Sequence, residues 1–127
     1  MRAYVDADVL IWHLRGEHKA RSFLRRLQAD PQVEPWIGAM QRAEVVFFAK
    51  SDELEATINF LSLFATAPVD ETTIDRAGAL YRRWNASHGV DPNDAILAAT
   101  AIVTNGRIFT LNRKHYPMPE VSVERAW

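Results

Sequence analysis

Hydrophobic positions along the chain follow two rhythms: short continuous apolar runs, and longer stretches in which apolar side chains recur every three or four residues. Ala3-Tyr4-Val5 is a run of the first kind, ended abruptly by Asp6, as in a buried strand that delivers a polar side chain at its C-terminal end. Val9 to Leu14 reads as a helix with Asp8 as its cap, and Gly16 stops it. From Glu17 to Gln28, Ala20, Phe23, Leu24 and Leu27 fall at helical spacing while Lys19, Arg21, Arg25 and Arg26 take other faces, which predicts an amphipathic surface helix with solvated arginines. Val33 to Ile37 is a second strand, interrupted by Pro35 and closed by Gly38. Ala39 to Ala49 is helical, with Glu44 followed by four apolar residues, Val45 to Phe48, that leave no clean solvent face. Asp52-Glu53-Leu54-Glu55 has the cap-plus-acid pattern of a new helix, continued by Leu54, Ile58 and Leu61 on one side. Ala65 to Val69 is a third short strand. Asp70 to His88 is a long helix with Ile74, Ala77, Tyr81 and Trp84 on one face and Gly89 at its end.

The stretch Gly89 to Thr100, GVDPNDAILAAT, organises the rest. Asp91 is a good N-cap, Pro92 suits the first helical position, and Asp94 falls three residues after the cap, where an acid can reach back to it. Between Ala95 and Val103 the only polar side chain is Thr100, so this helix is expected to be buried all round with one carboxylate at its mouth. Asn105-Gly106 is a turn signal, Arg107 to Leu111 a strand, Asn112 to His115 a polar loop and Val121 to Val123 a closing strand. Strands alternating with helices predict an α/β domain around a mostly parallel sheet, in which ligands bind beyond the carboxyl ends of the strands.

Composition narrows the chemistry. The 127 residues form one domain, 1–127, with no linker, repeat or low-complexity segment. A net charge of −1 gives no global attraction to nucleic acid, so any such contact must come from a local basic rim, with Arg15, Arg113 and Lys114 as candidates. The absence of cysteine removes disulfides and thiolate metal sites and fits a cytoplasmic protein. Asp6 and Asp8 interrupt the first apolar run, which argues against a signal peptide, and no run has the length of a membrane span. The four histidines lack metal-ligand spacing and are expected at the surface, with His115 a candidate phosphate contact. No glycine-rich phosphate loop and no serine-nucleophile motif is present. The tryptophans are expected in the core or an interface rather than as base-stacking platforms, with Trp12, beside the site, as the exception.

Asp6 at the end of the first strand, Asn112 after a later one and Asp94 at the mouth of the buried helix share one edge of a parallel sheet, and Glu44 can join them. Each has a plainer explanation: Asp94 as a capping acid, Glu44 as a solvated helix residue, Asn112 as a turn residue. Asp6 could cap a helix, a role that Asp8 is expected to fill. Three carboxylates with no cationic partner in sequence would raise one another's pKa values unless a divalent cation neutralised them, and oxygen-only ligands favour Mg²⁺ or Mn²⁺. Such sites hydrolyse phosphate esters.

VDADVLIWHLRG, Glu44 in RAEVVFFA, DAILAATA around Asp94 and the closing TLNRKHYP together resemble a PIN domain of the VapC type, the toxin of bacterial toxin–antitoxin pairs. The resemblance covers almost the whole chain in the right order. It implies a helix/sheet/helix sandwich and a Mg²⁺- or Mn²⁺-dependent endoribonuclease that acts on RNA, dimerises, and is inhibited by a cognate antitoxin. Asp6, Glu44 and Asp94 match the metal ligands, and Asn112 falls where many PIN domains carry a fourth acid and VapC-like members often carry Asn. Ala7 stands where the family frequently has Thr or Ser, so a hydroxyl beside the first acid is missing, and Thr110 is a nearby substitute. The alternatives are a metal-dependent phosphatase acting on a small phosphate ester and a catalytically inactive binding module whose acids grip a partner's arginine. Phe47, Phe48, Phe60 and Phe64 supply more large apolar surface than one small core requires, which fits self-association and a protein partner.

Overall fold

Five strands run in the same direction through one sheet in the computed structural model, which describes residues 1–127. They are β1 (Arg2–Val5), β2 (Glu34–Gly38), β3 (Ala65–Ala67), β4 (Arg107–Thr110) and β5 (Ser122–Arg125), in the order β3-β2-β1-β4-β5, and every neighbouring pair is parallel. The sheet is therefore wholly rather than mostly parallel. Six helices connect the strands: α1 (Ala7–Leu14), α2 (His18–Ala29), α3 (Ala39–Phe48), α4 (Leu54–Leu61), α5 (Glu71–His88) and α6 (Pro92–Thr104). A short 3₁₀ turn, Arg113–His115, follows β4.

The alternation of side chains along β1 divides the interior in two. Tyr4 joins the core shared with α5 and α6, whereas Ala3 and Val5 join the opposite core with Val9, Leu10, Phe23 and Leu27 from α1 and α2. Ile108 and Phe109 of β4 divide in the same way. Both faces of the sheet are thus covered, as a parallel sheet requires. Pro35 is tolerated in β2 because β3 begins to pair only at Trp36, leaving the missing N–H at a position where the ladder on that side has not started.

Helix α6 has the cap read from sequence: Asp91 Oδ1 accepts from the Asp94 backbone N–H at 2.8 Å, with Pro92 in the first turn. Ala95 and Leu97 to Ala101 are buried, but Val103 at the far end is 48% exposed, so burial is not complete all round. Asn105, in the left-handed region at φ 54°, turns the chain into β4.

Several expectations are corrected. The cap of α1 is Asp6, not Asp8: the helix begins at Ala7, whose N–H donates to Asp6 Oδ1 at 2.8 Å. Helix α4 begins at Leu54 with Glu53, not Asp52, at the cap position, and no side-chain cap bond forms there. Helix α5 buries Thr73, Ala77 and Leu80, a face rotated from the predicted one, and Ile74 is exposed. His13 is not a free surface residue, since its ring stacks on Phe60 at 4.4 Å. Phe64 is buried and Phe60 half-buried within the domain, leaving only Phe47 and Phe48, 78% and 85% exposed, as the unpartnered pair. No helix is long and apolar enough to cross a membrane.

Candidate active site

Because all strands point the same way, β1 and β4 end beside each other, and the helices that follow or face them open at the same edge. Val5 pairs with Phe109, which places Asp6 next to Thr110 at the two strand ends. The Asp6 N–H donates to the Phe109 carbonyl at 3.0 Å, so the backbone that carries this carboxylate is part of the sheet ladder. Its side chain is 8% exposed and accepts three hydrogen bonds. Oδ1 takes the Ala7 N–H, while Oδ2 takes the Thr110 hydroxyl at 3.0 Å and the Tyr116 hydroxyl at 2.7 Å.

Asp8, expected only to cap, belongs to the same cluster. Its Oδ2 lies 3.2 Å from the Thr110 hydroxyl and accepts from the Leu111 N–H at 3.1 Å, and its Oδ1 accepts from the Val9 N–H. One threonine hydroxyl therefore spans two acids. Burial, and then Asp6, raises the Asp8 pKa from its ordinary value despite these donors.

Glu44 and Asp94 complete the cluster from α3 and α6. Glu44 Oε1 accepts from the Asn93 amide at 3.2 Å. Burial, then Asp6, with smaller contributions from Asp91 and Asp8, pushes its pKa up. Asp94 is pushed up to about 7, first by burial and then by Asp91, with Asp6 adding and His115 opposing. The acids thus raise one another, and neither of the two side-chain ion pairs in the molecule, Arg83–Glu120 and Arg107–Glu124, involves any of them. Tyr116, buried against this charge, has a phenol pKa well above its ordinary value, because of burial first and Asp6 second, and stays protonated.

Asn112 borders the cluster rather than pointing freely into it. Its Oδ1 accepts from the Lys114 N–H at 3.2 Å, its amide nitrogen lies 2.9 Å from His115 Nε2, and its backbone N–H donates to the Thr110 hydroxyl. It caps the 3₁₀ turn, which exposes Arg113, Lys114 and His115, the last near Asp94, and returns Tyr116 to the interior.

No three of the Asp, Glu and His side chains converge closely enough to form a ready-made metal cage. The chemistry of the donors nevertheless fits a hard divalent cation: all are oxygen, they are negatively charged, and they repel one another in its absence. Mg²⁺ retains several waters and uses one or two carboxylates together with substrate phosphate, so a closed protein cage is not required. From Glu44 a groove of about 890 Å³ runs along α1, α3 and α4 past Ile11, Leu14, Arg15, Val45 and Phe48. A second cleft of about 210 Å³, between α5 and α6 at Ile74, Tyr81 and Pro92, is apolar and carries no reactive group.

Sequence reasoning brought Asp6, Glu44 and Asp94 to one edge and marked Thr110, but it missed two members of the cluster. Asp8 was hidden by its expected capping role. Tyr116 gave no signal that separates it from a core aromatic.

The PIN domain family profile matches residues 3–121. The chain is similar to Ribonuclease VapC10 of Mycobacterium tuberculosis, 36% identical over 117 residues, 91% of this chain and 86% of that protein. It is also similar to Ribonuclease VapC19 of the same organism, 34% identical over 115 residues, 90% of this chain and 91% of that one. A toxin–antitoxin complex from Klebsiella pneumoniae contains a chain that superposes with a TM-score of 0.80 at 25% identity, covering 98% of both chains. A chain of VapBC2 from Rickettsia felis, bound to a DNA fragment from its promoter, gives 0.80 at 19% identity with 98% of both covered, which bears on the fold alone.

Proposed function

The chain belongs to the PIN-domain family, and from that premise we propose that it is an endoribonuclease toxin that hydrolyses RNA phosphodiester bonds with Mg²⁺ or Mn²⁺ and is restrained by a cognate antitoxin. The observation that carries this reading is the group of four acids, Asp6, Asp8, Glu44 and Asp94, at one sheet edge with no basic side chain in ion-pair contact. Asp6, Glu44 and Asp94 would hold the ion. When bound, the ion supplies a Lewis acid that activates water and offsets the charge of the phosphoryl group. The residues around it have their own tasks. Thr110 orients Asp6 and Asp8 through one hydroxyl, and Asn93 holds Glu44. Arg113, Lys114 and His115, exposed on a turn fixed by Asn112, offer positive charge and N–H donors to the phosphates on either side of the scissile bond.

The exposed Phe47 and Phe48, next to the groove that begins at Glu44, favour an apolar protein partner there, which fits an antitoxin. Homodimerisation and a cytoplasmic location follow from the same family reading. The decisive experiment incubates RNA with wild type and Asp94→Asn in Mn²⁺. Wild type is expected to generate discrete fragments, and the variant to lose at least a hundredfold in rate, about 3 kcal/mol of barrier, with unchanged circular dichroism. Equal rates for the two proteins would remove Asp94 from the site. Hydrolysis of a small phosphate ester but not of RNA would point to a phosphatase instead.

A further inference from the structure

We propose that Tyr116 is a positioning residue for the reaction, its hydroxyl holding the Asp6 carboxylate in the orientation that the site uses. The inference rests on the reading of Asp6 as a site carboxylate and goes beyond it by assigning a role to a side chain outside the acidic set. Tyr116 is 4% exposed and comes from the loop after the 3₁₀ turn, 110 residues away in sequence from the acid that it touches. Its 2.7 Å bond to Asp6 Oδ2 is the shortest of the three that this carboxylate accepts.

A buried tyrosine hydroxyl commonly finds some acceptor, so burial alone would not distinguish a structural bond from a functional one. Two features separate them. The acceptor is the least exposed carboxylate of the cluster, where rotation of the acid group would change which lone pairs face the neighbouring acids. The other donor to Oδ2, Thr110, divides its hydroxyl between Asp6 and Asp8, so Tyr116 is the one side chain that restrains Asp6 alone. The turn that delivers Tyr116 also carries Arg113, Lys114 and His115 on its outer side, which joins the expected phosphate contacts to the orientation of Asp6 through four consecutive residues.

Tyr116→Phe keeps the buried ring and deletes only the hydroxyl. The variant is expected to lose about tenfold to a hundredfold in kcat on RNA with KM little changed, because hydrogen bonds to charged acceptors contribute at that level. Calorimetry should show weaker Mn²⁺ binding by the free variant, while its thermal unfolding stays cooperative. A control, Tyr81→Phe, should leave both quantities at the wild-type level. Wild-type kcat together with wild-type Mn²⁺ affinity in Tyr116→Phe would overturn the proposal. Should that variant fail to fold, the near-ultraviolet difference spectrum of Tyr81→Phe on adding Mn²⁺ decides: a tyrosine band supports the contact, and its absence overturns it. Tyr4 does not confuse this measurement, since its hydroxyl bonds to Thr104 near the opposite edge of the sheet. If wild type binds no Mn²⁺ at all, the metal reading fails separately, and the kcat and KM values alone decide the role of Tyr116.

Discussion

Where the strands begin, Arg2 lies 3.8 Å over the Trp36 ring and donates to the Tyr4 hydroxyl, which in turn pairs with Thr104 at 2.8 Å; where they end, four acids gather without a basic partner in ion-pair contact. Near the first edge, Glu34 accepts from the Trp36 indole and Arg107 pairs with Glu124, so charges are balanced within short reach. At the second edge, Asp8, Glu44 and Asp94 all hold raised pKa values, chiefly through burial and then through neighbouring acids. One sheet thus has an edge optimised for stability and an edge that departs from it. Such a departure at a single place fits the proposed site, because perturbed carboxylates gather at functional sites more than elsewhere.

The largest effect is expected from disturbing the balanced edge. A Cβ on Gly106 would press into the Tyr4 ring, which is fully buried and cannot swing aside. Gly106→Ala should therefore cost about 2 to 3 kcal/mol of stability, measured by urea unfolding, with Mn²⁺ affinity retained in the folded protein. Equal losses of stability and of metal affinity would show that the two edges are coupled, and the contrast between them would not hold.

The site edge should respond in the opposite direction. Asp94 has a folded-state pKa of about 7 against an ordinary 3.8, so between those values the folded state holds more protons than the unfolded one. Its contribution to stability therefore declines as pH rises from about 4 to about 7 and is fully unfavourable above that. Asp94→Asn removes the penalty. At pH 8 the variant is expected to be more stable than wild type by about 1 to 2 kcal/mol, a value reduced from the full shift because water screens this partly exposed carboxyl. The difference should shrink below pH 7 and vanish near pH 4. Mn²⁺ should stabilise wild type and not the variant. Urea titrations at the three pH values decide it, and a variant that is no more stable at pH 8 would mean that the acids do not strain the fold.

Sequence carried the balanced parts of the molecule better than the strained ones. Asp91-Pro92 before an alanine-rich run defined α6 because capping and burial are local and periodic. Asp6 after an apolar triplet marked the end of β1 for the same reason. The confusion between Asp6 and Asp8 as the cap of α1 has a physical origin: both precede the apolar positions, and both side chains do accept from a backbone N–H of the first turn. What separates them is the backbone, extended at Asp6 and already helical at Asp8. Their remote partners, Thr110 shared by both and Leu111 bonded to Asp8 alone, lie more than a hundred residues away where no local pattern reveals them. Tyr116 lies beyond reach for the same reason. The exposure of Phe47 and Phe48 beside the buried Val45 depends on how α3 packs against α1 and α4, and a run of four apolar residues does not specify which of them face outward.

The smallest effect tests where the site edge ends. Asn112 has its carboxamide oxygen on the Lys114 N–H and its nitrogen beside His115, so it is held by the turn while lying one residue from Leu111, whose N–H bonds to Asp8. Asn112→Asp keeps an oxygen for the cap and adds a negative charge at the border of the cluster. Affinity for hard cations rises with the charge of the ligand set, although a charge this close to solvent and to His115 is partly screened and partly paired. Mn²⁺ should bind the variant about threefold more tightly, roughly 0.7 kcal/mol, the scale of an exposed charge interaction. Turnover need not follow, because tighter binding in the ground state does not lower the barrier. Calorimetric titration of both proteins decides the matter: unchanged affinity would confine the proposed ion-holding set to Asp6, Glu44 and Asp94 and leave Asn112 as the cap of the turn that carries Tyr116.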